Sequence, residues 1–320
     1  MKRFDVTALG ELLIDFTESG LSPQGNLLLE ANPGGAPCNV LAMLARLGRK
    51  TAFIGKVGDD ALGRQLKQVV EEAGIDTANL LLDRKVHTTL AFVHKKPDGD
   101  RDFSFYRDPG ADMMLREDEV RESIIADSRI FHFGSLSLTH AGVRAATKKA
   151  LDLAKTHGCL ISFDPNLREP LWNSLEEAHE QIAYGMQMCD VMKISDNEVQ
   201  WFTEKEDFDE GIATLFDRYP VRLILLSKGK DGSSAYYRGK RVDADAFLQK
   251  NTIETTGAGD TFCACVLNYL LDHPLSELDP EGLGEMLRFA NAAAALITTR
   301  KGALRVMPEK QEIEALLASR

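Results

Sequence analysis

The chain has 320 residues, of which 44% are hydrophobic, enough for one large α/β domain or two modest ones. Its formal net charge of −11 argues against nucleic acid or an anionic membrane as the main partner, so an anionic ligand would have to be held locally by a few cations, backbone amides or a metal. No segment has the length of a secretory leader or a membrane span, and the 5 cysteines lack the spacing of a zinc site, so we expect a cytoplasmic protein with free thiols.

Short apolar runs alternate with helical patterns along most of the chain. The runs that we expect to form buried strands are VTALGELLIDF, TAFIGKV, RIFHFGSLSL, CLISFDPN, VMKIS and RLILLSKG. Apolar residues at helical spacing lie between them, for example Val40, Leu44 and Leu47. This alternation predicts an α/β fold with a central, mostly parallel sheet and helices on both faces.

Two early segments interrupt the alternation. Residues 86–107 hold two β-rich runs around a Pro-Asp-Gly turn signal, which predicts a hairpin, and the polar residues 16–33 could lie beside it. A second hairpin is predicted in SSAYYRGKRVDADAF. Because the chain shows no linker and no internal repeat, we expect a single domain over residues 1–320 with a small β appendage made from these two early segments.

The stretch TTGAGDTF precedes an apolar run that predicts a helix. The amides of Gly257, Ala258 and Gly259 would lie at the N-terminus of that helix, where free N–H groups and the dipole favour an anion, and Asp260 would lie in its first turn. Taken alone, a plain turn with an acidic residue explains the stretch equally well. A phosphate-binding loop and a dinucleotide fingerprint are both disfavoured, because the lysine of the first and the third glycine of the second are missing.

A second glycine cluster lies in NPGGAPCNVLAMLARLG. Gly34 and Gly35 leave the backbone uncovered by side chains, and Asn39 opens an apolar helix. Asparagine offers both a donor and an acceptor, which suits sugar hydroxyls, but capping a helix is its more common role at such a position. This cluster by itself is therefore ambiguous.

The two clusters together resemble the ribokinase-like carbohydrate kinases, the phosphofructokinase-B family. The resemblance covers essentially the whole chain, because further landmarks follow in the family's order: GELLIDF, FYRDPGADMML, SFDPNLREPLW, MKISDNE, LLSKGKDG and FANAAAAL. The GGAP, FYR and DPNLR stretches look most like fructokinases, while 2-keto-3-deoxygluconate kinases share much of the pattern. The resemblance implies a ribokinase-like fold whose β appendage is a lid, and an ATP-dependent sugar kinase that converts fructose to fructose 6-phosphate.

The family's functional residues can be matched position by position. Its catalytic base is the aspartate of GAGD, here Asp260, and the amides of Gly257, Ala258 and Gly259 would stabilise the transferring phosphoryl group. The residues matched to sugar binding are Asp15, Gly34, Gly35, Asn39, Phe105, Arg107 and Arg168. Those matched to nucleotide binding are Lys193, Ser227, Gly229, Gly232 and Asn291.

The resemblance also implies metals and an assembly. Magnesium is needed to offset the charge of the triphosphate, and Glu198 matches a glutamate that organises it through water, although Ser195 stands where relatives often have asparagine. Glu254 and Thr256 match the neighbourhood of a monovalent-cation site for potassium, where Glu254 replaces the usual aspartate. Relatives often pair their lids between subunits, so a homodimer through the lid is expected, with sugar and ATP as the small-molecule partners. A catalytically silent sugar-binding relative is the alternative from another class, and loss of Asp260 would be its signature.

Overall fold

The computed structural model of the protein describes residues 2–95 and 101–319. Its strands are β1 (Phe4–Leu9), β2 (Leu13–Leu21), β3 (Leu27–Gly34), β4 (Thr51–Gly58), β5 (Ile75–Asp83), β6 (Leu90–Lys95), β7 (Arg101–Tyr106), β8 (Ser128–Gly134), β9 (Leu160–Asp164), β10 (Val191–Ser195), β11 (Leu223–Ser227), β12 (Ser233–Tyr237) and β13 (Lys240–Ala244). Its helices of the α type are α1 (Ala36–Arg46), α2 (Ala61–Glu72), α3 (Glu122–Ala126), α4 (Ala141–Thr156), α5 (Leu175–Met188), α6 (Asp196–Thr203), α7 (Phe208–Arg218), α8 (Ala258–Asp272), α9 (Pro280–Ile297) and α10 (Lys310–Ala318). Among the described residues, no helix has the length and apolar character that crossing a membrane requires.

The main sheet of the described chain has the strand order β13-β12-β11-β10-β9-β8-β1-β4-β5. From β11 to β5 all neighbours are parallel, while β12 and β13 are antiparallel additions at one edge. One apolar cluster joins a face of this sheet to α1, α2, α8, α9 and α10, and the other joins the opposite face to α3–α7. The predicted mostly parallel sheet with helices on both faces is confirmed.

A second, smaller sheet has the order β3-β2-β6-β7. Strands β6 and β7 are antiparallel, with Leu90 opposite Tyr106, and β2 pairs in parallel with β6. Both segments that interrupt the sequence pattern therefore contribute strands to one sheet. The Pro-Asp-Gly signal at residues 97–99 lies outside the described residues.

The first predicted strand, VTALGELLIDF, is two strands in two sheets. The chain leaves the main sheet after β1 and enters the small sheet at β2. Residues 10–12 form the turn between the two strands, and this turn packs against the start of α1. A Cβ on Gly10 would lie 2.5 Å from Cγ of Pro37, so only glycine allows this close approach. The turn places Glu11 beside the start of α1, while Asp15 lies on the small sheet.

The predicted functional residues gather at one edge of the main sheet. Parallel strands β8, β9 and β10 all end there, which is where ligands bind in open α/β sheets. The same edge carries the N-termini of α1 and α8, each preceded by a glycine with positive φ, +125° at Gly35 and +77° at Gly257. The fold thus brings the two glycine clusters together from opposite ends of the chain.

Candidate active site

Two adjoining cavities lie at this edge of the sheet. The larger, of about 770 Å³, is lined among others by Glu11, Asp15, Gly35, Asn39, Phe105, Asn166, Arg168, Lys193, Glu254, Thr256, Gly257, Gly259 and Asp260. The smaller, of about 350 Å³, is lined among others by Ser227, Gly229, Gly232, Phe247, Phe262 and Asn291. Thr255 and Gly259 line both, so the start of α8 lies where the two cavities meet.

Asp260 is held by Asn39. The Nδ2 of Asn39 donates to Oδ2 of Asp260 at 2.8 Å, joining α1 to α8 across 221 positions of sequence. Asn39 is buried, and its Oδ1 has no hydrogen-bond partner in the described chain. Burial raises the pKa of Asp260 above the usual 3.8, against the opposing effects of the Asn39 hydrogen bond and of Lys193 and Arg168. Asn39 therefore fixes one carboxylate oxygen of Asp260 rather than capping α1.

The turn before α8 offers free amides. Ala258 donates its N–H to the Thr255 carbonyl at 3.2 Å, so this amide is engaged within the turn itself. The amides of Gly257 and Gly259 donate to no acceptor in residues 2–95 and 101–319. At a helix N-terminus such free N–H groups attract an anion. Two of the three predicted amides are thus available to a phosphoryl group.

Lys193 brings a cation to the same turn. A Cβ on Gly259 would lie 3.1 Å from the Nζ of Lys193, which is itself buried and paired with Asp164 at 3.1 Å. Burial opposes the charge on Lys193, but the carboxylates of Asp164 and Glu198 outweigh it and raise the pKa of this lysine. Burial raises the pKa of Asp164 to about 6, and the charge of Lys193 limits that rise. The turn before α8 contains no lysine of its own, but Lys193 lies beside it in the fold.

The part of the larger cavity that contains Asp15, predicted to bind sugar, depends on close backbone approaches. Register places Asp15 on β2 beside β3, and a Cβ on Gly34 would collide with the Asp15 carboxylate. A Cβ on Gly35 would collide with the backbone carbonyl of Glu11. Both glycines of GGAP are therefore required to bring β2, the 10–12 turn and α1 together, and Asp15 reaches the cavity as a result.

The two predicted lid residues have different positions. Phe105, on β7, lines the larger cavity, whereas Arg107 does not. The buried guanidinium of Arg107 forms an ion pair with Asp112 at 2.7 Å and donates to Thr139 Oγ1 at 2.8 Å and to the Leu136 carbonyl at 3.0 Å. The hypothesis that Arg107 covers the sugar is not supported, because these partners turn its side chain into the protein.

Arg168 lines the larger cavity, as its predicted role requires. Its Nη1 donates to the carbonyl of Leu167 at 3.0 Å, which orients the side chain in the loop after β9. Its charge lowers the pKa of Asp260, so the guanidinium lies close enough to interact with the Asp260 carboxylate.

Three of the predicted nucleotide residues form a loop around the smaller cavity. Ser227 ends β11, Gly229 has a φ of +53°, and a Cβ on Gly232 would collide with the Ala244 carbonyl. Asn291 also lines this cavity, but its amide is engaged: Nδ2 donates to the carbonyls of Ala244 and Asp245, each at 3.1 Å, and Oδ1 accepts from Ser233 at 2.9 Å. Asn291 therefore shapes the wall and does not present a free amide to a ligand.

Glu198 does not line the larger cavity, although its neighbour Asn197 does. Its Oε1 accepts from the Leu167 amide at 2.7 Å, and its Oε2 accepts from the amide and hydroxyl of Ser195, both at 2.8 Å. Ser195 and Glu198 form a capping box at the start of α6, so the serine that departs from the family pattern has its own structural role. Three of the roughly four acceptor positions of this carboxylate are occupied, which favours a contact to a metal through water over direct coordination.

Glu254 and Thr256 both line the larger cavity. Glu254 is buried, and its Oε1 accepts from the Gly302 amide at 2.8 Å. A buried carboxylate at a cavity wall has the right charge for a monovalent cation. Within the described residues, no group of three or more His, Cys, Asp or Glu side chains could hold a metal ion.

Sequence reasoning missed two carboxylates of this site. Glu11 is buried and lines the larger cavity, and Asp164 is the partner of Lys193. Each belongs to an apolar run, GELLIDF or CLISFDPN, where a carboxylate is costly without a partner. This cost could have identified both residues from the sequence, and it applies to Glu11 as strongly as to Asp15.

Comparison with known proteins agrees with this geometry. Residues 4–310 match the pfkB family of carbohydrate kinases. A probable fructokinase-2 from Arabidopsis thaliana is 40% identical over 314 residues, covering 98% of this chain and 95% of the relative. The solved structure of a fructokinase with bound ATP from Xylella fastidiosa has a TM-score of 0.90 at 31% identity, covering 98% of both chains.

A double mutant of a fructokinase from Vibrio cholerae O395, solved with bound fructose, ADP and potassium ion, has a TM-score of 0.88 at 28% identity and covers 99% of both chains. The fold, the cavities at the strand ends and these matches lead to one conclusion: the chain belongs to the pfkB family of carbohydrate kinases and has the ribokinase-like fold of a phosphotransferase that acts on an alcohol group.

Proposed function

We propose that this carbohydrate kinase is an ATP-dependent fructokinase that converts D-fructose and ATP to D-fructose 6-phosphate and ADP. The observation that carries the proposal is the position of Asp260, which lines the larger cavity with Asp15 and Asn39 and directly follows Gly259, where the two cavities meet. The fructose-bound relative from Vibrio cholerae O395 supports this choice of sugar.

In the proposed reaction, the Asp260 carboxylate takes the proton of the primary hydroxyl of the sugar as that oxygen attacks the γ-phosphorus of ATP. The bond from the γ-phosphorus to the bridging oxygen breaks, and ADP leaves. The amides of Gly257 and Gly259 and the ammonium of Lys193 stabilise the charge on the transferring group. ATP occupies the smaller cavity, with its base between Phe247 and the wall that contains Asn291.

We further propose that Mg²⁺ accompanies ATP, held by phosphate oxygens and water, with Glu198 as a second-layer partner. When bound, it offsets the charge of the triphosphate. A potassium ion near Glu254 and Thr256 is proposed on the buried carboxylate of this wall and on the potassium-bound relative. A cytoplasmic location is proposed because the five cysteines are free and buried.

A neutral sugar suits this cavity better than a sugar acid. Four carboxylates, those of Glu11, Asp15, Glu254 and Asp260, line this cavity, against the two cations Lys193 and Arg168, and this excess of negative charge would disfavour the carboxylate of 2-keto-3-deoxygluconate. Arg107, a cation that could have offset them, is turned away and paired with Asp112. Phe105 has no hydroxyl group to bind a substrate carboxylate.

We expect a panel assay of ATP consumption to show this preference. With fructose, ribose, 2-keto-3-deoxygluconate and adenosine at equal concentration, fructose should have a kcat/KM at least about 100-fold above that of the sugar acid, because carboxylates outnumber cations on the cavity wall and repel the added carboxylate. Turnover of another substrate with none of fructose would contradict the proposal. Presence of Asp260 already disfavours a catalytically silent relative.

We propose that the sheet of β3, β2, β6 and β7 is a lid and that two lids pair in a homodimer. Its outer part exposes Leu21, Leu27 and Tyr106 by 66%, 54% and 66%, more apolar surface than a small sheet usually leaves to water. Light scattering should therefore give twice the mass of one chain. Leu27→Glu should yield monomers, whereas Leu175→Glu, at an exposed leucine on α5, should leave the dimer intact. A monomeric wild type at working concentration would contradict the assembly.

A further inference from the structure

Glu11 lines the larger cavity but has no role in the proposed reaction. It lies in the turn between β1 and β2, is only 3% exposed, and lines the larger cavity with Asp15 and Asn39. Its Oε1 accepts from the amide of Ala36 at 2.8 Å, at the start of α1. Through α1 it is therefore connected to Asn39, which holds Asp260.

The Glu11 carboxylate accepts fewer hydrogen bonds than it could. An ionised carboxylate has about four acceptor positions. In the described chain its donors are the Ala36 amide and its own backbone amide, and it forms no ion pair there. Burying a carboxylate is costly unless partners compensate, so a group left half satisfied on a cavity wall is poised for a donor from a ligand.

The charges around Glu11 do not compensate for its burial. Burial raises its pKa to about 7, against the opposing effects of its own amide, the Ala36 amide and the charge of Arg107. The effect of Arg107 is partly cancelled, because this arginine is paired with Asp112, whose charge raises the pKa of Glu11. The other titratable groups near Glu11 or lining the same cavity are Cys38 on α1, Asp15 on β2, Arg168 after β9, Lys193 on β10, Glu254 before α8 and Asp260 on α8.

We propose that Glu11 is a further sugar-recognition residue, whose ionised carboxylate holds the start of α1 and accepts a hydrogen bond from a hydroxyl group of the bound sugar. This inference rests on the proposed sugar kinase activity and adds a specificity residue to it. A neutral polyhydroxylated substrate supplies the missing donor, whereas a substrate carboxylate placed there would be repelled.

Glu11→Gln tests the role while keeping an acceptor for the Ala36 amide. We expect the KM for the sugar to rise about tenfold or more, because a hydrogen bond to a charged acceptor is replaced by one to a neutral amide. The KM for ATP should stay within about twofold, since Glu11 does not line the smaller cavity. A sugar analogue that lacks the contacted hydroxyl should bind wild type and variant equally, and a series of singly deoxygenated fructoses identifies which hydroxyl it is.

Thermal unfolding separates this role from a structural one. An acid whose folded pKa lies above its unfolded value loses stability as pH rises between the two, from 4.5 to about 7. Glu11→Gln removes that penalty, so its Tm should exceed that of the wild type at pH 8 and not at pH 4.5. Sugar affinity of the wild type, measured by calorimetry without ATP, should fall about tenfold from pH 8 to pH 6, and that of Glu11→Gln should change less.

Two results would overturn the inference: an unchanged sugar KM in Glu11→Gln, or a parallel loss of Tm, sugar affinity and ATP affinity. The sugar used is the one that the wild type phosphorylates best. If fructose is not turned over while another neutral sugar is, the proposed substrate fails and the role of Glu11 is still tested.

Discussion

Replacing Asp260 by asparagine should lower kcat by about 100- to 10,000-fold, the usual contribution of a positioned general base. Asparagine keeps the shape of the side chain and can still accept from Asn39 Nδ2, but it cannot take the proton of the attacking hydroxyl. Burial raises the pKa of the Asp260 carboxyl, which makes its carboxylate a better base than an exposed aspartate. Single-turnover measurement of phosphoryl transfer, with ATP affinity and circular dichroism beside it, checks this expectation.

Asn39→Ala is the matched control. It keeps the carboxylate of Asp260 and removes the hydrogen bond that holds Oδ2, so its loss of kcat should be smaller than that of Asp260→Asn. In the wild type, the rate should fall as pH falls through the raised pKa of Asp260, because only the ionised form is a base. A turnover of Asp260→Asn within about tenfold of the wild type would exclude Asp260 as the base.

Replacing Asp164 by alanine should lower the free energy of unfolding by about 3–5 kcal/mol, the cost of removing one partner from a buried ion pair. The side chains of Lys193 and Asp164 are only 9% and 4% exposed, and their atoms lie 3.1 Å apart. Without Asp164 the ammonium of Lys193 remains buried beside Gly259 without its ion-pair partner, and the charges of Glu198 and Asp260 compensate only part of the loss. Urea unfolding monitored by fluorescence measures the loss.

The double variant Asp164→Ala with Lys193→Met separates ion pairing from packing. Because it removes both charges, it should recover much of the stability lost in Asp164→Ala, while phosphoryl transfer stays impaired for want of the Lys193 cation. A single variant within about 1 kcal/mol of the wild type would show that the pair contributes little to folding.

Sequence patterns predict the main sheet well, because buried parallel strands are continuous apolar runs and β8–β11 are of this kind. The same rule fails at VTALGELLIDF. A run that is apolar throughout carries no mark where it changes sheet, except Gly10, whose contact with Pro37 depends on a residue far along the chain. The hairpin of β12 and β13 was predicted, but its place as the edge of the main sheet depends on pairing with β11, which local sequence does not encode.

For the site residues too, sequence predicts some features and not others. Most of the site residues that the family resemblance indicates line one of the two cavities, and Asp15, Asn39, Arg168, Lys193 and Asp260 all line the larger one. Side-chain direction was less predictable, because it depends on partners distant in sequence or in the fold. Arg107 turns inward to Asp112 and Leu136, and Asn291 is engaged by carbonyls at the end of β13.

The hydrogen bond between Asn39 and Asp260 has a consequence for how the enzyme comes into being. The two residues are 221 positions apart, so a chain still being synthesised holds one of them long before the other exists. The N-terminal portion on its own contains neither the proposed base nor the amide turn. We therefore expect activity only after α1 and α8 have packed together. For the same reason ligands that bind this junction should stabilise the entire molecule, by about 2.7 kcal/mol at a hundred times Kd, rather than one local element.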